Sequence, residues 1–331
     1  MKKIKLIIKL FIVSIVIYLL FQYNIVETVN TKILYENIST LLIVIALMIF
    51  IILLGSYKWW LLLKSQNYNI PLDRAYLIYS SGLFFNIFMP GAAGGDLIKG
   101  YYLYTYIKKS QRTSAIFTII IDRVIGLHAL LSISFLSLVY YFYIHKDWLE
   151  FKSIFISIGF LIVFSIIIYY LILYFLENIK SFLGNNKFKK INFITVVILK
   201  ILESLESYRS KKIYIVKCWL ISSVNHLLMI SCFLIIAGVL NLQYFNFTEI
   251  SIIGSLSLVA NTVPLTPGGI GIGESAFNYF GSIFHSSNRI ESIAYGSIFF
   301  ITYRILFNIV CLIGSASLII LKKPRISYEH E

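Results

Sequence analysis

Hydrophobic residues occur along this chain in long, nearly uninterrupted runs. The runs cover residues 4–21, 41–54, 116–143, 154–176, 213–240 and 292–321. Most of them are long enough for a helix to cross a hydrocarbon core of about 30 Å. The pattern therefore predicts an all-α, polytopic membrane helix bundle that forms one domain over residues 1–331.

Composition supports a membrane protein and excludes an ordinary soluble domain. Of the 331 residues, 59% are hydrophobic and 13% are charged, and the mean hydropathy is +0.84. A soluble domain of this length needs more polar surface. The formal net charge of +14 is compatible with nucleic-acid binding, but basic residues of membrane proteins collect in cytoplasmic loops. We therefore expect membrane lipids, and no nucleic acid, as partners.

The positions of the basic residues predict the direction of each crossing. Four lysines lie at the start of the first run, and no small-residue cleavage site follows it, so we expect an uncleaved first helix and a cytoplasmic N-terminus. A full crossing by residues 75–98 would then put the next basic group outside. The conflict disappears if this segment is re-entrant. The basic residues expected in cytoplasmic loops around it are Lys58, Lys64, Arg74, Lys99, Lys108, Lys109 and Arg112.

A second broken segment, residues 250–284, fits the same scheme if it enters from outside. The favoured topology has about six full crossings, two re-entrant segments and both termini in the cytoplasm. Eight crossings is the alternative, because single helices can violate the charge rule. Residues 177–212 are predicted as a cytoplasmic amphipathic loop, whose helix either lies on the inner headgroups or caps the bundle.

The two broken segments share one pattern: an asparagine, a Pro-Gly step, small residues and a carboxylate. The shared pattern indicates an internal duplication, and an inverted repeat is one form that it can take. Proline removes a backbone donor and glycine permits unusual dihedrals, so a helix breaks there. Such a break is tolerated in a membrane only inside protein or beside a water-filled cavity. Close helix packing is the other use of these glycines. The candidate residues are Asn86, Pro90, Gly91, Gly94, Gly95 and Asp96, and Asn261, Pro264, Pro267, Gly268, Gly269, Gly271, Gly273 and Glu274.

Charged residues at membrane depth are the remaining candidates for a site. Each costs about 2.5–3.5 kcal/mol unless it is paired or hydrated. Either they form structural ion pairs, or arginines hold a phosphate while carboxylates hold an amine. The possible pairs join the two carboxylates beside the breaks to the two arginines, or join Asp122 to Arg123. No spacing typical of a metal site and no catalytic motif is present, so neither a metal, a cofactor nor an enzymatic activity is expected. The charges are Asp96, Asp122, Arg123, Glu274 and Arg304.

Four motifs in order resemble the lysylphosphatidylglycerol synthase transmembrane family, also described as the flippase-like domain family. They are Asn86-Ile-Phe-Met-Pro-Gly-Ala-Ala-Gly-Gly-Asp96, Asp122-Arg123, Pro264-Leu-Thr-Pro-Gly-Gly-Ile-Gly-Ile-Gly-Glu274 and Tyr303-Arg304. The resemblance implies a prokaryotic cytoplasmic-membrane protein. In two-part members of the family, the membrane domain is thought to move aminoacylated phospholipid between leaflets. Here we expect a stand-alone member without the aminoacyl-transferase domain.

These expectations combine into a hypothesis of lipid translocation. The cargo would be an aminoacylated phospholipid or a polyprenyl-linked glycolipid, and a separate lipid-modifying enzyme is a candidate partner; no oligomeric state is predicted. The alternatives are a membrane-embedded transferase acting on a lipid-linked donor and a small-solute transporter.

Overall fold

In the computed structural model, every secondary-structure element of the described part of the chain is a helix. The described part comprises residues 31–89, 93–108, 111–145, 151–178, 192–241, 245–263, 266, 268–284 and 289–321. Its helices are α1 (Thr31–Glu36), α2 (Ile38–Ser65), α3 (Leu72–Asn86), α4 (Ala93–Tyr106), α5 (Arg112–His145), α6 (Lys152–Tyr174), α7 (Asn192–Arg209), α8 (Lys212–Val239), α9 (Phe247–Asn261), α10 (Ile272–Phe284) and α11 (Arg289–Ile320).

Five of these helices, α2, α5, α6, α8 and α11, are long and apolar enough to cross a membrane. Their aliphatic and aromatic side chains form the bundle interior, where Phe233 of α8 packs on Phe299 of α11. The first predicted crossing, residues 4–21, lies outside the described residues. The prediction of a polytopic helical membrane bundle is thus confirmed.

The first broken segment forms a helical hairpin that returns to the end from which it started. Leu103 and Ile107, in and just after the last turn of α4, pack in one cluster with Ala75 and Ile78 of α3. Helices α3 and α4 have 15 and 14 residues. At 1.5 Å per residue each spans about 20 Å, which is too short for a full crossing.

The second broken segment has the same form. Phe245, just before α9, packs on Phe277 in the middle of α10 and lies beside Gly281 nearer its end, so α10 returns towards the start of α9. These two helices have 15 and 13 residues. The structure therefore agrees with two re-entrant segments and not with eight crossings.

The two hairpins enter the bundle from opposite ends, as their contacts along α11 show. Phe277 of the second hairpin stacks on Phe299, in the first half of α11. Ser80 of the first hairpin forms a 3.1 Å hydrogen bond with Ser317, near the end of α11. The tips meet between these levels, where the Gly268 N–H donates to the carbonyl oxygen of Met89 at 3.0 Å.

Each hairpin is followed by a long helix. The first helix of each hairpin packs against the long helix of the other half. Helix α5 has 34 residues and α11 has 32, so the two units match in order and length. Hairpin helix α3 packs on α11, whereas α9 packs on α5. This reciprocal packing is the arrangement of an inverted repeat whose halves hold each other in place.

Helix α7 belongs to the bundle end and is not isolated on a lipid surface. Its Tyr208 is buried in a cluster with Leu62 and Cys218, and burial raises the pKa of the phenol. The Ser207 hydroxyl donates to the Gln66 side chain at 2.8 Å. Of the two interpretations of residues 177–212, the structure therefore favours the capping helix.

Two lysines expected in cytoplasmic loops lie inside the protein instead. Lys58 is in α2 and Lys99 in α4, and both are buried. The charge rule uses only the positions of basic residues along the chain. It does not consider that a basic side chain can form ion pairs inside a folded bundle.

We expect Gly314→Ala to destabilise the protein by about 1–3 kcal/mol, because the added methyl would overlap the carbonyl oxygen of Ser80 where α3 crosses α11. Gly238→Ala is the matched control, since a methyl on that helical glycine meets no atom within 4 Å. Thermal unfolding of detergent-solubilised protein checks the pair. Equal midpoints for the two variants would show that the α3–α11 contact is not tight.

Candidate functional site

The tip of the second hairpin is a glycine loop in left-handed conformation. Gly268, Gly269 and Gly271 have φ values of +59°, +71° and +87°, which L side chains rarely adopt. The loop leads into α10, where Glu274 lies in the first turn and its Oε2 accepts the Gly271 N–H at 2.9 Å. Pro264 and Pro267 lie outside the described residues.

Arg304 of α11 connects the parts of this tip. Its Nε donates to Glu274 Oε1 at 2.8 Å, and its Nη2 donates to Asn261 Oδ1 at 3.1 Å and to the Gly269 carbonyl at 3.0 Å. Its Nη1 donates to the Gly268 carbonyl. Planar guanidinium is suited to such a fork of acceptors. Arg304 and Glu274 side chains are only 12% and 10% exposed, so the pair is nearly closed off.

The first tip repeats the scheme with different partners. The Asn86 Oδ1 accepts the Gly95 N–H at 2.6 Å, joining the end of α3 to the first turn of α4. Asp96, in that same turn, accepts hydrogen bonds from Nε and Nη2 of Arg123 of α5, and the shortest bond from each nitrogen is 3.0 Å long. A side chain on Gly94 would overlap Met89, so this glycine permits close packing at the tip. Pro90 and Gly91 lie outside the described residues.

The two ion pairs differ in how open they are. The Arg123 side chain is 39% exposed and Asp96 28%, several times the values of the pair in the second half. Both arginines reach the cavity, but Arg123 leaves more of its side chain open to a ligand, whereas Arg304 is nearly enclosed by its own partners.

The predicted pairing of Asp122 with Arg123 is wrong. Neighbouring residues on a helix point about 100° apart, so they do not face each other. Asp122 instead lies 2.9 Å from Nζ of Lys58, which also donates to Ser222 Oγ at 3.3 Å. This pair is buried next to the site and does not line the cavity.

Lys99 is a member of the charge cluster that sequence reasoning missed. Its side chain is 2% exposed, and its Nζ lies 3.9 Å from Asp96 Oδ1. The ammonium also lies over the rings of Tyr79 and Trp59, at 4.1 and 5.6 Å from their centres, where cation–π attraction stabilises it. The spacing of three residues from Asp96 on one helix was the available signal.

A cavity of about 280 Å³ lies where the two tips meet. Aromatic and aliphatic side chains line much of it, including Tyr303, which packs on Phe233 and Phe300. Asn308 was also missed by sequence reasoning, although it follows Arg304 by one helical turn and so shares its face. The polar side chains on the wall are Asn86, Arg123, Asn225, His226, Asn261, Thr262, Arg304 and Asn308.

The structure thus brings Asn86, Arg123, Asn261, Gly268, Tyr303 and Arg304 to one cavity. Asp96 and Glu274 lie behind it, bonded to the two arginines. Within the described ranges, no set of three or more His, Cys, Asp and Glu side chains is placed to share a metal ion.

Comparison with protein families decides which family contains this arrangement. The sequence model described as "Lysylphosphatidylglycerol synthase TM region" matches residues 6–311, which include both hairpins, all of α5 and most of α11. The chain belongs to this family. A search of curated proteins and a search of solved structures gave no match. The chain is thus a membrane protein of the lysylphosphatidylglycerol synthase type.

Proposed function

We propose that this protein translocates the headgroup of a lipid between the two leaflets of the cytoplasmic membrane. The observation that carries the proposal is the meeting of two hairpins, from opposite ends, at a polar cavity. Inverted repeats with broken helices at their interface are typical of transporters, in which the two halves alternate in opening the site. Both termini are expected on the cytoplasmic side.

The cavity supplies what a lipid headgroup needs on its way across. A polar group in hydrocarbon lacks hydrogen-bond partners, at a cost of several kcal/mol. Here Arg123 offers charged donors, and asparagines such as Asn86 and Asn308 offer further polar contacts. The acyl chains would remain in the surrounding bilayer, so only the headgroup has to enter the cavity.

The geometry favours translocation over a membrane-embedded transferase. A transferase would need a carboxylate such as Asp96 or Glu274 as its base. Each of these carboxylates accepts hydrogen bonds from an arginine on both of its oxygens, so these oxygens are already occupied and not open to a substrate proton. Nothing in the described cavity specifically favours transport of a small solute.

The test is leaflet exchange in vesicles that contain the purified full chain. Fluorescent phosphatidylglycerol, aminoacylated phosphatidylglycerol and a polyprenyl-phosphate sugar are each followed by chemical quenching of the outer leaflet. We expect faster exchange of at least one of these lipids than in protein-free vesicles and in vesicles with an unrelated helical membrane protein. Folded protein that accelerates none of them would refute the proposal.

A further inference from the structure

Among the described residues that line the cavity, every charged side chain is positive. These side chains are Arg123 and Arg304, and no Asp or Glu of the described chain lines the wall. The three nearby carboxylates are already engaged: Asp96 by Arg123, Asp122 by Lys58 and Glu274 by Arg304. A cationic headgroup would therefore meet two arginines and no carboxylate on the cavity wall.

The charge cluster as a whole also carries an excess of one formal positive charge. Four cations face these three carboxylates, and the fourth cation is Lys99. Within the described residues, its contact with a carboxylate is the 3.9 Å contact with Asp96, and Asp96 is shared with Arg123. Uncompensated charge is costly in a medium of low dielectric constant. One bound monoanion would neutralise the cluster, whereas a bound cation would increase its excess charge.

The neutral part of the cavity wall provides acceptors that suit hydroxyl groups. His226 Nε2 lies 3.0 Å from the Gly126 carbonyl oxygen, which can only accept, so Nε2 carries the proton and a neutral ring keeps Nδ1 as an acceptor. Asn225 Oδ1 is buried and has no hydrogen-bond partner in the described part of the chain. Buried acceptors of this kind are costly unless a ligand or water satisfies them.

We propose that the headgroup bound here is a phosphodiester monoanion that carries a polyol or sugar, and that aminoacylated lipid is a poor substrate. Arg123 contacts the phosphate, and Asn225 and His226 accept hydrogen bonds from the hydroxyl groups. This inference rests on the proposed lipid translocation and selects one substrate class within it. It differs from the aminoacylated cargo that the family resemblance implies.

Exchange of three fluorescent lipids with identical acyl chains tests the inference. Phosphatidylglycerol carries one negative charge and two hydroxyls, lysyl-phosphatidylglycerol carries a net positive charge, and phosphatidylethanol keeps the phosphodiester without hydroxyls. We expect phosphatidylglycerol to exchange at least about tenfold faster than the lysyl lipid. Equal or faster exchange of the lysyl lipid would overturn the inference while leaving translocation intact.

Two variants separate the roles of charge and hydroxyl recognition. Lys99→Met removes the excess charge and should reduce the preference for phosphatidylglycerol over the lysyl lipid. Asn225→Leu should instead reduce the preference for phosphatidylglycerol over phosphatidylethanol. Lys64→Met is the matched control, because that lysine lies over the Trp60 ring at the end of α2, outside the cluster. Unchanged ratios in both test variants would contradict the assignment.

A binding measurement distinguishes failure of the inference from failure of translocation. Native mass spectrometry of the solubilised protein with the same three lipids reports headgroup selection without transport. Selective binding of phosphatidylglycerol without exchange would refute the proposed translocation and support the proposed headgroup. Equal binding of the lysyl lipid would remove the headgroup assignment.

Discussion

Arg304→Ala is expected to destabilise the protein by about 3–5 kcal/mol, because the change leaves Glu274 buried without its cation. The variant also removes the donors to the carbonyl oxygens of Gly268 and Gly269. Buried acceptors without a donor add to the loss of stability. The midpoint of thermal unfolding in detergent, followed by tryptophan fluorescence, measures the effect.

Arg304→Lys is the informative companion variant. Lysine keeps the positive charge but lacks the planar fork that reaches Asn261, Gly269 and Glu274 together, so an intermediate midpoint is expected. Lys64→Ala, outside the ion-pair cluster, should stay within about 0.5 kcal/mol of the parent. A parent-like midpoint for Arg304→Ala would mean that the second hairpin tip is held without this network.

The sequence was sufficient to predict the hairpins because their cause is local. A proline followed directly by glycines breaks a helix at that point, and the resulting halves are too short to cross a bilayer. The basic residues on both sides of residues 75–98 then required a return to the starting side. The same local pattern, repeated near Gly268, predicted the second hairpin and the duplication.

The sequence left the choice of ion-pair partners open between two pairings, because that choice depends on tertiary packing. Asp122 and Arg123 are adjacent in sequence, yet α5 points them at different neighbours, Lys58 and Asp96. The two lysines were assigned to loops because the charge rule concerns loops, whereas a folded bundle can bury an ammonium beside a carboxylate or an aromatic ring. The positions of charged residues within apolar segments therefore predicted that charges are buried, but not how many of the buried charges are positive and how many negative.

The near-symmetry of the two halves makes their differences informative. In both halves an asparagine ends the first helix, a carboxylate follows the break and an arginine comes from the next long helix. In the second half, Arg304 is fully engaged with the glycine loop. In the first half, Arg123 binds Asp96 and faces the cavity with a larger exposed surface. We infer that the second half fixes the shape of the site and that the first half contacts the headgroup.

Arg123→Gln is therefore expected to lower lipid exchange by about 10- to 100-fold, the range that loss of a charged hydrogen bond produces. The fold should survive, because Asp96 is partly exposed and keeps Lys99 as a neighbour. Arg123→Lys should retain part of the rate, since a point charge still attracts a phosphate. Arg112→Gln, at the start of α5 where the guanidinium stacks on Tyr104, is the control and should exchange lipid normally. Full exchange by folded Arg123→Gln protein would mean that the first-half arginine does not contact the headgroup, and the division of roles between the halves would fail.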